Sequence, residues 1–395
     1  MELHRCKKKY VNSTHRIRDP EETYDFVKDK MPRIGVTTVE DVTGLDRLGI
    51  PVFIAQRVDS EMGGTYIHNG KGFSPVESTV SAMMESIERY SSEYDQGLVK
   101  TSLISKLDSN YIDPNALILP NGMLFNELMP LGWCKGTDIA TMADVYIAAN
   151  AVFHPFPQGL GWLFRSNTNG LASGNCIEES ILHALCEVIE RDAWSLAEIS
   201  KKVPNDLVID TDDKHVNWLL DKFNDAGIDI YVKDITSDLG IPTFFAASDD
   251  VRDKDPTLLN MGVGTHMSPK VALLRALTEV AQSRLTQIYR NNRNPSGAII
   301  KRKLGYEKVK GMNKKWYDPS KKVGFSEFEP LDTPYLLDDI ERMIEALAHN
   351  GFENVCVVDL TKHDVDVPVV RVTVPGLEQC SVDMDRIGKR ARMTT

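Results

Sequence analysis

The stretch GVTTVEDVTGLDRLGIPVFIA, Gly35 to Ala55, joins a β-branched run to an Asp-x-Thr, then to Ile-Pro opening a second apolar run. Two other stretches share the plan: GIDIYVKDITSDLGIPTFFAA from Gly227 and GFENVCVVDLTKHDVDVPVVRV from Gly351. The recurring pairs are Asp41/Thr43, Asp234/Thr236 and Asp359/Thr361. In the first two the link is turn-like and too short for a crossover helix, so each stretch predicts two neighbouring strands. A helix-like stretch precedes each. DPEETYDFVKDKM has Asp19 as N-cap, Pro20 in the first turn and Glu22 completing a capping box; the others are VNWLLDKFNDA and LDDIERMIEALAHN, which ends at Gly351. The unit is helix, strand, Asp-x-Thr, strand, and the Asp-x-Thr residues read as architecture.

A second repeat carries the chemistry. SAMMESIER (Ser81 to Arg89), HALCEVIER (His183 to Arg191) and RALTEVAQSR (Arg275 to Arg284) align, with Ala82, Ala184 and Ala276 in register. Glu85, Glu187 and Glu279 then coincide, as do Glu88, Glu190 and Gln282. Ser74-Pro75, Asn175 and Ser268-Pro269 predict the helix starts, eleven, twelve and eleven residues before the first glutamate. Glycine-bearing loops, NGKGFS, NGLASGN and GVGTHMS, precede the three helices.

A lone Glu-x-x-Glu-Arg reads as a solvated helix face. Here Glu179, His183, Glu187 and Glu190 follow i, i+4, i+8, i+11 on one face, and Glu77, Ser81, Glu85 and Glu88 repeat the pattern. If pseudo-symmetry brings these faces together, the carboxylates raise one another's pKa unless cations intervene. Hard oxygen ligands of this kind suit Mg²⁺ with substrate phosphates. The glycine loops offer backbone N–H groups to phosphate oxygens, and Lys71 and Arg57 offer positive charge. Neither a Walker-A motif nor a kinase HRD or DFG set is present.

The chain has 395 residues, a hydrophobic fraction of 42% and a net charge of -11. That balance suits a globular protein and argues against nucleic acid or an anionic membrane as partner. Six cysteines form no CxxC pair, no signal peptide is evident, and no apolar run approaches the roughly 20 residues of a bilayer span. These features predict a cytoplasmic protein. Cys176 and Cys186 read as small buried hydrophobes, and His183 as a packing or supporting residue.

The set SAMMESIER, NGLASGNCIEESILHALCEVIERDA, ALTEVAQSR, VTGLDRLGIPV and VPVVRVTVPGLE resembles the YcaO family, from Asp19 to about Arg390. The resemblance implies an α/β (α+β) YcaO-type fold with repeated helix-strand-strand units, mixed and antiparallel sheets, and three glutamate-bearing helices around an ATP–Mg²⁺ site. The expected organisation is an N-terminal extension, 1–18, and a single domain, 19–395, with repeats near 19–100, 130–200, 214–290 and 335–390. The resemblance further implies that Glu85, Glu88, Glu187 and Glu190 hold Mg²⁺ and that Glu279 and Gln282 complete the nucleotide site. Ser81, Lys71, Arg57, Arg16 and Arg284 are expected ATP contacts, and Glu85, Glu187 and Arg284 are expected in the chemical step.

Family members phosphorylate a backbone amide oxygen that departs after nucleophilic attack on the amide carbon, leaving an azoline or a thioamide. Azoline-forming members often end in a proline-rich tail, whereas this chain ends GKRARMTT and has no fused leader-binding domain ahead of THRIRDPEET. It looks most like archaeal members that thioamidate a glycine of the methyl-coenzyme M reductase α subunit, with a sulfide source and often a TfuA partner. A homodimer is expected. The alternatives are an azoline-forming cyclodehydratase acting on a ribosomal peptide and a non-catalytic accessory protein.

Overall fold

Each Asp-x-Thr closes a turn between two antiparallel strands. The computed structural model, which describes all residues except 59–63, 158, 160, 294 and 395, pairs Val36–Asp41 with Val52–Val58, Asp229–Asp234 with Thr243–Asp249, and Cys356–Asp359 with Val369–Thr373. The carboxylates of Asp41, Asp234 and Asp359 each accept the N–H of the threonine two residues on, at 2.9 Å. The hydroxyls of Thr43, Thr236 and Thr361 then accept the N–H of Val52, Thr243 and Val369, at 3.1, 3.1 and 3.2 Å. An Asx turn thus bends the chain, and the threonine pins the first residue of the returning strand.

Helices lead into these pairs as expected: Pro20–Val27 with the Asp19/Glu22 capping box formed, Lys214–Asp225, and Leu336–His349. Each pair also gains a third antiparallel strand that runs into a glutamate helix. Thr65–Lys71 leads to the first, Pro75–Ser91, and Met261–Thr265 to the third, Pro269–Arg293. The middle unit is assembled differently. Its third strand, Leu171–Ser173, pairs with Val369–Thr373 and runs into the second glutamate helix, Ile177–Ile199, so strand and helix precede in sequence the hairpin they complete.

Among the described residues three sheets result. One has three strands, Val36–Asp41, Val52–Val58 and Thr65–Lys71. The second runs Met261–Thr265, Thr243–Asp249, Asp229–Asp234, Asn205–Val208 and Lys322–Gly324, the last pairing parallel. The third runs Asn110–Tyr111, Ala143–Ala148, Leu131–Asp138, Cys356–Asp359, Val369–Thr373 and Leu171–Ser173, with Val99–Ser102 also on Leu131–Asp138. The fold is mixed α/β with antiparallel and mixed sheets. Among the described residues no helix is long and apolar enough to cross a membrane.

The small residues of the repeat are packing residues. A Cβ on Gly70 would lie 2.0 Å from the Ser78 carbonyl oxygen and 2.2 Å from the Ala82 nitrogen. On Gly264 it would lie 2.1 Å from the Ala272 oxygen and 2.7 Å from the Ala276 nitrogen. Strand backbone and glutamate helix are in direct contact, which only glycine opposite a small residue permits. The second glutamate helix is capped at Cys176, not Asn175, which puts its cap eleven residues before Glu187, as in the other two helices. Asn175 instead donates to Glu179, through its backbone at 3.1 Å and its side chain at 3.0 Å.

The first 18 residues pack against the repeats. Lys8 Nζ lies 2.6 Å from Asp339 Oδ2 with both groups buried, and Lys7 bridges to Tyr335 at the head of the Leu336–His349 helix.

Gly70→Ala is expected to cost about 3 kcal/mol or more through overpacking. Gly227→Ala, at φ +64 with nothing within 4 Å, should cost only about 1 to 2 kcal/mol. Urea unfolding of the two variants gives the comparison.

Candidate active site

The three glutamate helices direct matched faces into one cavity of about 650 Å³, a size that suits a nucleotide-sized ligand. Glu77, Ser81, Glu85 and Glu88 line it from the first helix. Glu179, His183, Glu187 and Glu190 line it from the second. The third contributes Arg275, Glu279, Gln282, Thr286 and Arg290. The i, i+4, i+8, i+11 spacing of the first two sets, and i, i+4, i+7, i+11, i+15 in the third, puts each set on one helical stripe.

Side chains of these stripes stitch the units into a ring. Glu88 of the first helix faces the backbone of Ser173, in the strand feeding the second helix, and that backbone draws its pKa down. Glu190 of the second accepts the Thr265 N–H at 3.1 Å, in the strand feeding the third. Gln282 of the third donates to the Asn69 carbonyl at 2.8 Å, in the strand feeding the first. Gln282 replaces a glutamate because its partner is a carbonyl and needs a donor. The other glutamate of each set is held nearby: Glu85 accepts the Asn69 N–H at 3.2 Å, and Glu279 pairs with Lys71 Nζ at 2.9 Å.

Burial governs the carboxyl groups. It pushes Glu88 up to about 8, with Glu187 and Glu85 adding to the rise against the pull of Arg89. It pushes Glu190 up to about 7, with Glu279 and Glu187 adding against Arg191. Glu187 is raised by burial too, opposed by Arg191 and Arg89. For Glu279 burial acts in the same sense, but Lys71 and Arg191 prevail and hold it below the usual range. His183, 3.3 Å from Arg275, is kept neutral by burial.

The N-terminal segment forms part of the wall. Tyr10, Ser13, Thr14, Arg16 and Arg18 line the cavity. Glu77 accepts from Tyr10 at 2.7 Å and Ser13 at 3.1 Å. Glu179 accepts the Ile17 N–H at 3.0 Å and lies 3.4 Å from Arg16 Nε.

Of the residues expected at the site, Glu85, Glu88, Glu187, Glu190, Glu279, Gln282, Ser81, Lys71 and Arg16 are brought together here. Two arginines are not. Arg284 is fully buried away from the cavity, with Nε 2.9 Å from Asp46, Nη2 3.3 Å from Asp250 and Nη1 donating to the Leu258 carbonyl. It follows Glu279 by five residues, about 140° round the helix. Arg57 pairs with Glu93 at 2.5 Å and packs near the Tyr66 and Tyr90 rings. It sits opposite Tyr66, five ladder positions and about 17 Å from Lys71. Reading the sequence missed Arg275, although it aligns with Ser81 and His183. It also missed Arg290, which the face rule applied to the third helix would have found. The contacts of Tyr10 and Ser13 are non-local and left no signal.

A family model described as YcaO cyclodehydratase, ATP- and Mg²⁺-binding, matches residues 69–378. A Methanothermobacter thermautotrophicus protein is 46% identical over 378 residues, covering 94% of this chain and 97% of its own. A Rhizobium leguminosarum bv. trifolii protein named for the tfuA 3′ region is 31% identical, covering 94% and 91%. The solved structure of YcaO from Methanopyrus kandleri, bound with AMPPCP and Mg²⁺, matches with a TM-score of 0.82 at 29% identity, covering 97% of this chain and 98% of that one. A heterocyclase in complex with substrate and cofactor matches in fold, with a TM-score of 0.80 at 22% identity, over 96% of this chain and 54% of its own.

Arg284→Ala would leave buried Asp46 and Asp250 without their shared partner and should cost roughly 3 to 5 kcal/mol, while ATP affinity per folded molecule, read by calorimetry, stays unchanged. A second expectation concerns pH. Because the folded pKa of Glu88 lies above its unfolded value, its contribution to stability is full below about 4.5 and is lost up to about 8. In chelator, wild type should therefore lose stability relative to Glu88→Gln as pH rises, by on the order of 1.4 kcal/mol per unit within that window. Thermal melts at the two ends of the window measure the difference.

Proposed function

The chain belongs to the YcaO family, and we propose that it couples ATP hydrolysis to replacing a peptide backbone oxygen by sulfur, at a glycine of the methyl-coenzyme M reductase α subunit. The observation that carries the ATP and Mg²⁺ part is the convergence of three glutamate stripes on one cavity. Carboxyls raised toward 7 and 8 by burial, with neighbouring carboxylates adding to the rise, form a hard-oxygen set that fits a divalent cation. Glu85, Glu88, Glu187 and Glu190 would hold Mg²⁺, with Glu85 and Glu187 nearest the chemical step. Glu279, Gln282, Ser81, Lys71 and Arg16 would serve the nucleotide. MgATP supplies the phosphoryl group that turns the amide oxygen into a phosphate leaving group.

The remaining work falls to residues of this chain. Arg89, Arg191 and Arg275 present fixed positive charge along the wall where phosphoryl charge must be held. The N-terminal segment, anchored through Glu77 and Glu179, narrows the cavity and limits water. The sulfur of hydrosulfide bonds to the amide carbon, the C–O bond breaks, the oxygen leaves on phosphate with the proton that hydrosulfide carried, and ADP remains. Hydrosulfide is nucleophilic near neutral pH, so no protein base is required.

The sulfide branch is supported by the similarity to archaeal members and by the 46% identity to the Methanothermobacter protein. The relative named for the tfuA region supports a TfuA-like partner, and a homodimer belongs to the same reading. The family description, cyclodehydratase, favours the azoline-forming reaction as the second reading.

Calorimetry should show ATP binding in Mg²⁺ that is lost in EDTA. Glu187→Gln should lower turnover on the order of a hundredfold with the fold intact, its melting temperature in chelator no lower than wild type's. With ATP, Mg²⁺, sulfide and a glycine peptide of the reductase α subunit, with and without a TfuA-like partner, peptide mass should rise by the difference between sulfur and oxygen. Loss of one water from a Cys-, Ser- or Thr-containing peptide without sulfide would select the azoline reaction. Absence of ATP turnover with both peptides and partner would leave an accessory role.

A further inference from the structure

The caps of the three glutamate helices differ in one respect. Ser74 caps the first by accepting the Glu77 N–H at 3.2 Å, and Ser268 precedes Pro269 at the matching place in the third. The second has Cys176 there, and its thiol makes no capping hydrogen bond. It turns instead toward the N-terminal segment, where the Cys176 and Cys6 sulfurs and a Glu178 oxygen all lie within 4.8 Å of one another.

From this geometry we propose that Cys6, Cys176 and Glu178 form a Zn²⁺ site that clasps the N-terminal segment to the second glutamate helix. The Cys6–Glu178 spacing is that of two ligands round one small ion, and Cys176 Sγ lies within 4.8 Å of both. With Zn–S of about 2.3 Å and Zn–O of about 2.1 Å, tetrahedral edges come to about 3.6 Å between sulfur and oxygen and about 3.8 Å between sulfurs. Cys6 Sγ lies 3.5 Å from Glu178 Oε2. Glu178 is 1% exposed, and its other oxygen accepts the His4 N–H at 2.6 Å, which fixes the carboxylate toward the thiols.

Two thiolates and one carboxylate select a borderline-soft d¹⁰ ion over Mg²⁺ or Ca²⁺. Binding displaces the two thiol protons. The complex of Zn²⁺ with three anionic ligands carries one negative charge. Three protein ligands leave a fourth position for water or another small ligand. The clasp would fix the stretch ahead of Tyr10, Ser13, Thr14 and Arg16, and so the edge of the cavity they line. The site is independent of the proposed reaction.

The test is Co²⁺ titration of the reduced, chelator-treated full chain. One Co²⁺ per chain should bind with a thiolate-to-cobalt band in the near ultraviolet and tetrahedral bands in the visible, both bleached by Zn²⁺. Co²⁺ in the carboxylate cavity gives no thiolate band, so it cannot imitate this result. Cys6→Ser and Cys176→Ser should abolish the band, and Glu178→Gln should weaken Co²⁺ binding at least about tenfold. No thiolate band in wild type with all six thiols titrating as reduced would overturn the site, whether or not the variants fold. So would a band that survives both serine variants, or ready Cys6–Cys176 disulfide formation by a chain that, once reduced, takes up no metal.

Discussion

Glu88 and Glu190 are carboxyl groups withdrawn from water beside other carboxyl groups, and that proximity alone favours separating the helices that carry them. Three features oppose the separation. Backbone N–H groups of the neighbouring unit reach Glu88 and Glu190, and Gln282 closes the circle on Asn69. Arg89, Arg191 and Lys71 lie among the carboxylates as fixed counter-charges. Glycine strands let the helices sit directly on the sheets, so the faces cannot rotate outward. A cation and a polyphosphate would relieve what repulsion remains, so the demand for ligand and the rigidity of the site have a common origin.

The elements visible in the sequence were those set by local chemistry. Asp-x-Thr followed by Ile/Val-Pro gives a turn wherever it occurs, and three Asx turns with three pinned strands are present. The Asp19/Glu22 box and the shared face of Glu179, His183, Glu187 and Glu190 are local as well. Other features depend on partners far along the chain. Arg284 was placed in the cavity by motif position, but its helical angle turns it toward Asp46 and Asp250. Arg57 offered positive charge in the right sheet at the wrong end of the ladder. Tyr10 and Ser13 reach the cavity because Glu77 holds them, a pairing with no periodic signature.

Glu77 and Glu179 show how one polar stripe serves two purposes. Both occupy the cavity face, yet both accept hydrogen bonds from residues 10–17, so the helix-entry end of each stripe anchors protein while the deeper end is left for ligand. Val271 stands at the matching place in the third helix, eight residues before Glu279. The N-terminal segment accordingly bridges the first two helices, and the three-fold arrangement is broken on the side where it crosses.

The split middle unit bears on the order in which a ribosome can make this protein. Ser173 pairs with Val369, a closure spanning about 200 residues, whose entropy must be met before its contacts form. The second glutamate helix leaves the exit tunnel long before the hairpin that completes its sheet. The ring through Glu88, Glu190 and Gln282 therefore closes only after Val369 has been made. Nascent chains and products truncated before Val369 lack a finished carboxylate cavity, and metal and nucleotide meet a competent site only in a chain made past that strand.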